Sequence, residues 1–155
     1  MEQKTKIIAE PGKQDLTITR EFDLPLKLLF KACADPEIVA QWMGTKVLKL
    51  ESKKHGSWQF ETADAKGNVV FRANGVIHGF VPDQKIIRTF EMENTPFGVQ
   101  LEVYEFEKLS NDTSKLHIHT IYESVAQRDQ VLALPFAWGI NMAHNRLQEI
   151  AGKLK

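Results

Sequence analysis

From residue 16 the chain alternates. Leu16, Ile18, Arg20 and Phe22 fall on one side and Thr17, Thr19 and Glu21 on the other, the two-residue period of a strand. At Pro25 the period changes, and Leu26, Leu29, Phe30 and Cys33 recur at helical spacing, with the proline suited to a helix's first turn. Asp35-Pro36-Glu37 reads as an N-cap followed by a proline at the first helical position, so a second short helix begins there and runs to about Trp42. Between Lys46 and Tyr122 strand-like runs return, near residues 46–52, 56–63, 69–80, 85–93, 99–109 and 115–122. The separators, Lys54–Gly56, Asp64–Asn68, Pro82-Asp83, Asn94–Gly98 and Ser110–Ser114, all carry turn chemistry. Consecutive strands with gaps this short predict an antiparallel meander, with no parallel βαβ unit.

Ser124-Val125-Ala126-Gln127 is a capping box that announces helix after the last strand. Pro135 lacks an N–H and clashes with the carbonyl four residues earlier, so it divides that region. The pattern predicts a short helix to about Leu132 and a long one from about Pro135 to Lys153. Phe136, Ile140, Ala143, Leu147, Ile150 and Leu154 form a continuous apolar stripe, from which the last helix is expected to pack along its whole length. Residues 1–15, broken by Pro11-Gly12, read as a flexible N-terminal arm, and residues 16–155 as a single domain. The class is α+β: a strongly curved antiparallel sheet wrapped round a long C-terminal helix, with two short helices after the first strand. Such a wrap tends to leave an apolar space between helix and sheet.

Composition narrows the function. With 155 residues, one domain fits and a second does not. Twenty basic side chains balance 20 acidic ones, so the surface lacks the cationic excess that tracks nucleic-acid phosphates or anionic membranes. Zero net charge also does little to resist self-association, which leaves a homodimer open. The single cysteine, Cys33, permits no internal disulfide and suits a reducing cytoplasm, and the polar N-terminus lacks the apolar core of a signal peptide. The longest mostly apolar run, Val131 to Ile140, is too short for stable membrane insertion. Phosphate-binding glycine loops, the nucleophile elbow, the zinc-protease helix and CxxC are all missing, so nucleotide hydrolysis, dinucleotide redox and serine-hydrolase chemistry have no support.

Six local motifs occur in a recognisable order. They are Ile18-Thr19-Arg20-Glu21-Phe22-Asp23 with Pro25; Phe30-Lys31-Ala32 with Asp35-Pro36-Glu37 and Trp42-Met43-Gly44; His55-Gly56-Ser57-Trp58-Gln59-Phe60; Ile86-Ile87-Arg88-Thr89-Phe90; Tyr122-Glu123-Ser124 with Arg128-Asp129; and Asn145-Arg146-Leu147. Together they resemble the START/polyketide-cyclase (SRPBCC) superfamily, in the branch related to the C-terminal domain of the activator of the heat shock protein 90 ATPase. The resemblance spans about residues 16–150 and implies a helix-grip fold. It also implies a protein whose relatives bind lipids, polyketides or aromatic metabolites, or contact chaperones, with no shared catalytic residue set. Two positions depart from the family pattern: Thr45 replaces a proline, and Leu134-Pro135-Phe136 stands where many members have Ser-Gly-Met. The second lies at the start of the long helix, where it reshapes the mouth or floor of a cavity.

The leading expectation is therefore a binding domain for a hydrophobic small molecule, with no cofactor, no metal and no catalytic residue assigned. Pockets for apolar ligands have aromatic and aliphatic walls with a few polar groups for orientation. Trp58 and Phe60 share a strand face, and Phe136 and Ile140 a helix face; these four are the expected wall. His78, Arg88 and His144 are the expected polar groups. Arg20 and Arg72 are further candidates for a ligand anion, whereas Arg128-Asp129 reads as a local pair and Arg146 as a solvated or strand-contacting helix residue. His117 and His119 lie on one strand face, but two imidazoles lack the third ligand a metal site needs. Cys33 reads as a core residue. Two other readings stay open: a chaperone-contacting interaction module, and a cyclase or hydratase using a pocket histidine.

Overall fold

The computed structural model describes residues 4–155. Its elements are β1 (Lys6–Ile8), β2 (Asp15–Phe22), α1 (Leu26–Ala34), α2 (Pro36–Met43), β3 (Lys46–Leu50), β4 (Ser57–Ala63), β5 (Val69–Val81), β6 (Lys85–Met92), β7 (Val99–Lys108), β8 (Ser114–Ile121), α3 (Val125–Leu132) and α4 (Phe136–Gly152). The eight strands form one antiparallel sheet in the order β1-β2-β8-β7-β6-β5-β4-β3. Strands β3 to β8 run as the expected meander, and β2 closes on β8 after the two-helix excursion.

The turns and caps act as their residue types require. Asp35 Oδ1 accepts hydrogen bonds from the backbone N–H groups of Glu37 (2.9 Å) and Ile38 (3.4 Å), so α2 starts where the N-cap and proline place it. Gly44 ends that helix in the left-handed conformation at φ 63°, which costs a residue without a Cβ little. Ser124 caps α3 through the Gln127 N–H at 3.1 Å. Gly75 has a packing role: a Cβ there would run into the Thr89 carbonyl oxygen and the Trp58 indole, so glycine is what lets Trp58 lie flat against the sheet.

Two expectations change. The first concerns the arm over residues 1–15. Within it Lys6–Ile8 pair with Thr17–Thr19 as an edge strand, and Thr5 is buried against α4; the arm's first three residues lie outside the described ones. Thr5 N–H donates to Asn141 Oδ1 at 3.1 Å, and its hydroxyl lies 3.0 Å from His144 Nδ1. The second concerns α4, which does not pack along its whole length. Leu147 and Ala151 are fully buried, but Ile140 is only half-buried, and Leu154 lies beyond the helix and is 53% exposed. The C-terminal half sits on the core, while the N-terminal half lies over a gap above the sheet; the helix as a whole packs chiefly on α2.

Candidate functional site

The gap beneath that N-terminal half is a cavity of about 300 Å³. Its apolar wall comes from α2 (Val39, Trp42, Met43), from Phe71 and Phe90 on the sheet, from Phe97 in the β6–β7 turn, and from Phe136, Ile140 and Ala143 on α4. Antiparallel register explains its floor. Arg88 on β6 stands opposite Glu102 on β7, and Glu102 opposite Thr120 on β8, so three polar side chains share one row of the concave face. One step along, Phe90 stands opposite Gln100, and Tyr122 follows Thr120 two residues on, returning to the same face. Tyr104 and Ile118 pair in the adjacent row.

Arg88 is the centre of a compact polar cluster. Its Nε donates to Glu102 Oε1 at 2.8 Å and its Nη2 to the Tyr104 hydroxyl at 3.0 Å, while Gln100 Nε2 donates to Glu102 Oε2 at 2.9 Å. The guanidinium lies 4.8 Å from the Trp58 ring centroid and 5.0 Å from that of Tyr104, within the range of cation–π attraction. Burial works against the Arg88 charge, but the Tyr104 and Glu102 oxygens outweigh it and hold the group above its ordinary pKa. Burial raises the Tyr104 phenol well above its usual range, so it stays protonated. Burial also pushes the Cys33 thiol, in the same wall, up to about 12, which makes it a poor nucleophile.

Across the cavity, His144 is 4% exposed. Its ring meets Phe22 edge-on at 5.7 Å. Burial, and then the nearby Arg20 cation, lower its pKa to about 3, so the imidazole is neutral at physiological pH. Arg20, 3% exposed, has no carboxylate partner among the described residues. Its Nη1 instead donates to Asn145 Oδ1 at 2.7 Å, Thr5 Oγ1 at 3.3 Å and Asn141 Oδ1 at 3.5 Å, and its Nε has no partner. Tyr122, 2% exposed, has a buried hydroxyl that likewise has no partner among the described residues.

Four of the seven expected site residues line this cavity: Arg88, Phe136, Ile140 and His144. The other three do not. Trp58 and Phe60 are fully buried behind the wall, their rings 4.7 Å apart. Trp58 acts one layer back, supporting Arg88 and packing 5.5 Å from Phe90. His78 is exposed, because β5 shifts register between Ile77 and Gly79 and Ile77 takes the buried position. His117 and His119 are on the outer face, paired with Glu107 at 3.0 Å and Asp15 at 2.7 Å. No group of three or more metal-ligating side chains occurs among the described residues. Arg72 is outside, paired with Glu61; Arg128 is buried and bonds the carbonyls of Glu10 and Asp15; Arg146 donates to the Trp42 carbonyl.

Sequence reasoning did not reach Gln100, Glu102, Thr120 or Tyr122 as site residues. The signal for Glu102 was present in principle, since opposite charges on successive strands pair when the register aligns them. The departure at Leu134-Pro135-Phe136 does fall at the cavity, as Leu134 and Phe136 both line it.

A curved antiparallel sheet gripping a C-terminal helix over a mostly apolar space defines a helix-grip cavity protein. Residues 23–152 match the family model described as "Activator of Hsp90 ATPase homolog 1-like protein", and the chain belongs to that family. No curated protein matches it in sequence. Among solved structures, a protein from Rhodobacter sphaeroides is similar at 19% identity and a TM-score of 0.84, covering 96% of this chain and 99% of that one. One from Arthrobacter aurescens has 15% identity and a TM-score of 0.84, covering 96% and 91%. Protein Ms6760 from Mycobacterium smegmatis has 20% identity and a TM-score of 0.79, covering 94% and 95%. At these identities the likeness is one of fold.

Proposed function

We propose that this protein binds a largely apolar small molecule in the cavity between α4 and the sheet. The observation that carries the reading is the cavity itself: about 300 Å³, walled mainly by aromatic and aliphatic side chains, with a few polar groups on its floor. Transfer of the ligand's apolar surface from water supplies the driving force, about 25 cal/mol per Å² before the costs of ordering. The histidines favour binding over catalysis. His78, His117 and His119 are not part of the wall, and His144, with a pKa of about 3, is too weak a base for proton abstraction near neutrality.

The test is uptake of N-phenyl-1-naphthylamine, a neutral dye whose fluorescence rises in apolar surroundings. The wild type is expected to bind it saturably. Ile140→Trp, which fills the space from the half-buried face of α4, is expected to abolish uptake with little change in urea stability. Equal uptake by both proteins would remove this cavity as the binding site.

A second reading, contact with a chaperone, draws on the family and on one surface feature. Leu134, Trp138 and Met142 recur every fourth residue at α4 and the turn before it, with Trp138 61% exposed. On that reading Trp138→Glu lowers any stimulation of the cognate chaperone's ATPase while leaving dye uptake intact.

A further inference from the structure

We propose that the cavity selects a neutral ligand bearing a hydroxyl or carbonyl oxygen, such as a phenol or alcohol on an apolar body, and rejects the matching carboxylate. The inference rests on the cavity being a ligand site and concerns what its polar atoms leave to be satisfied.

Charge is the first argument. Among the described residues, the only formally charged side chains in the wall are Arg88 and Glu102, and they neutralise each other at 2.8 Å. The guanidinium is further occupied by the Tyr104 hydroxyl and lies over the rings of Trp58 and Tyr104. A ligand carboxylate entering here meets the Glu102 charge and a cation that Glu102 already balances, and a buried charge without a partner of its own is strongly disfavoured. His144 offers no positive charge either, being neutral. Arg20 is the opposing influence. It is a buried cation near His144, but it is not part of the wall and its Nη1 is taken by the oxygens of Asn145, Thr5 and Asn141.

Hydrogen-bond accounting is the second. Thr5 Oγ1 already accepts from Arg20 Nη1, and the acceptor within reach of its own hydrogen is His144 Nδ1. Thr5 donating to Nδ1 satisfies both atoms, and in that tautomer the imidazole hydrogen sits on Nε2. On the sheet side, the Tyr122 hydroxyl is buried without a partner, and the Thr120 side chain lies beside it in the same wall. Buried polar groups are rarely left unmatched, and each one that is calls for an explanation, which a partner atom on a bound ligand supplies here. An oxygen carried by the ligand satisfies the Tyr122 donor, and the lone pairs of Glu102 and Gln100 can accept from a ligand hydroxyl.

Competition against bound N-phenyl-1-naphthylamine at pH 7.5 tests this with three compounds of one shape: 2-naphthol, 2-methylnaphthalene and 2-naphthoate. The first two are neutral and the third is ionised. In the wild type, 2-naphthol is expected to compete at least about tenfold more strongly than 2-naphthoate. Tyr122→Phe, which keeps the ring and removes an unsatisfied hydroxyl, is expected to lower the affinity ratio of 2-naphthol to 2-methylnaphthalene by about tenfold. Taking the ratio cancels the different ease with which the two compounds leave water. An unchanged ratio in the variant overturns the inference, and so does 2-naphthoate competing as well as 2-naphthol; both leave the cavity reading standing. Failure of the wild type to take up the dye at all overturns the cavity reading, and this inference with it.

Discussion

Arg88 joins three parts of the molecule through one side chain. It neutralises Glu102, orders the Tyr104 hydroxyl and covers the Trp58 indole, all within a mostly apolar wall. The pair illustrates how a buried charge depends on its partner. Removing one member leaves the other buried without compensation, whereas removing both leaves only a packing change. Arg88→Met is therefore expected to cost about 3–5 kcal/mol in urea denaturation, and Arg88→Met with Glu102→Leu markedly less. If the double variant is no more stable than the single one, the two side chains do not act as a unit.

At the scale of elements, α4 is anchored at one end and spaced away from the sheet at the other. Leu147 and Ala151 bury the C-terminal half. Midway along, Thr5, just before β1, and Arg20 on β2 hold the helix through polar contacts: Thr5 to Asn141 and His144, and Arg20 to Asn145. This junction has a defined pH dependence. His144 has a folded pKa of about 3 against an ordinary value of 6.5, so below pH 6.5 the unfolded chain takes up a proton that the folded chain refuses. Stability is thus fully present above pH 6.5 and falls as the pH drops from there toward 3, by about 1.4 kcal/mol per pH unit. Between pH 6.5 and 5 the loss is about 2 kcal/mol, and His144→Gln is expected to remove it. Carboxylates with lowered pKa, such as Asp15 beside His119, titrate further into the acid range. Urea melts of both proteins at the two pH values check the slope, and equal slopes would mean that His144 titrates normally.

For the whole molecule, a ligand that enters the cavity binds the folded state alone and stabilises it by mass action. At a free concentration of 100 times Kd the gain is about 2.7 kcal/mol, which for a domain of this size raises Tm by about 5–10 °C. The dye should produce that shift in the wild type and none in Ile140→Trp, as read by calorimetry. An equal shift in both proteins would place the dye elsewhere, on the exposed Trp138 face for instance. No helix among the described residues is long and apolar enough to cross a membrane.

Most of the architecture was legible along the chain because local periodicity reports local geometry. The strand at residues 16–22, the proline-started helix at Pro36, the capping box at Ser124 and the break at Pro135 each follow from a few neighbouring residues. Edge strand β1 escaped because Lys6-Ile7-Ile8 is too short to show a period, and Thr5 just before it is held by partners more than a hundred residues away, Asn141 and His144. The site was legible only in part for the same reason. Phe136, Ile140 and His144 could be placed by their turn of one helix, and Arg88 by being an arginine on an interior strand. Glu102, Gln100, Tyr104 and Tyr122 join Arg88 only through strand register, and His78 turns outward because β5 slips at Ile77/Gly79. The sequence alone determined the order of elements from residue 16 onward, the family and the apolar character of the space beneath α4. Tertiary structure decided which side chains meet there and which are left without partners, because those contacts depend on cross-strand alignment and on the distance at which the helix stands from the sheet.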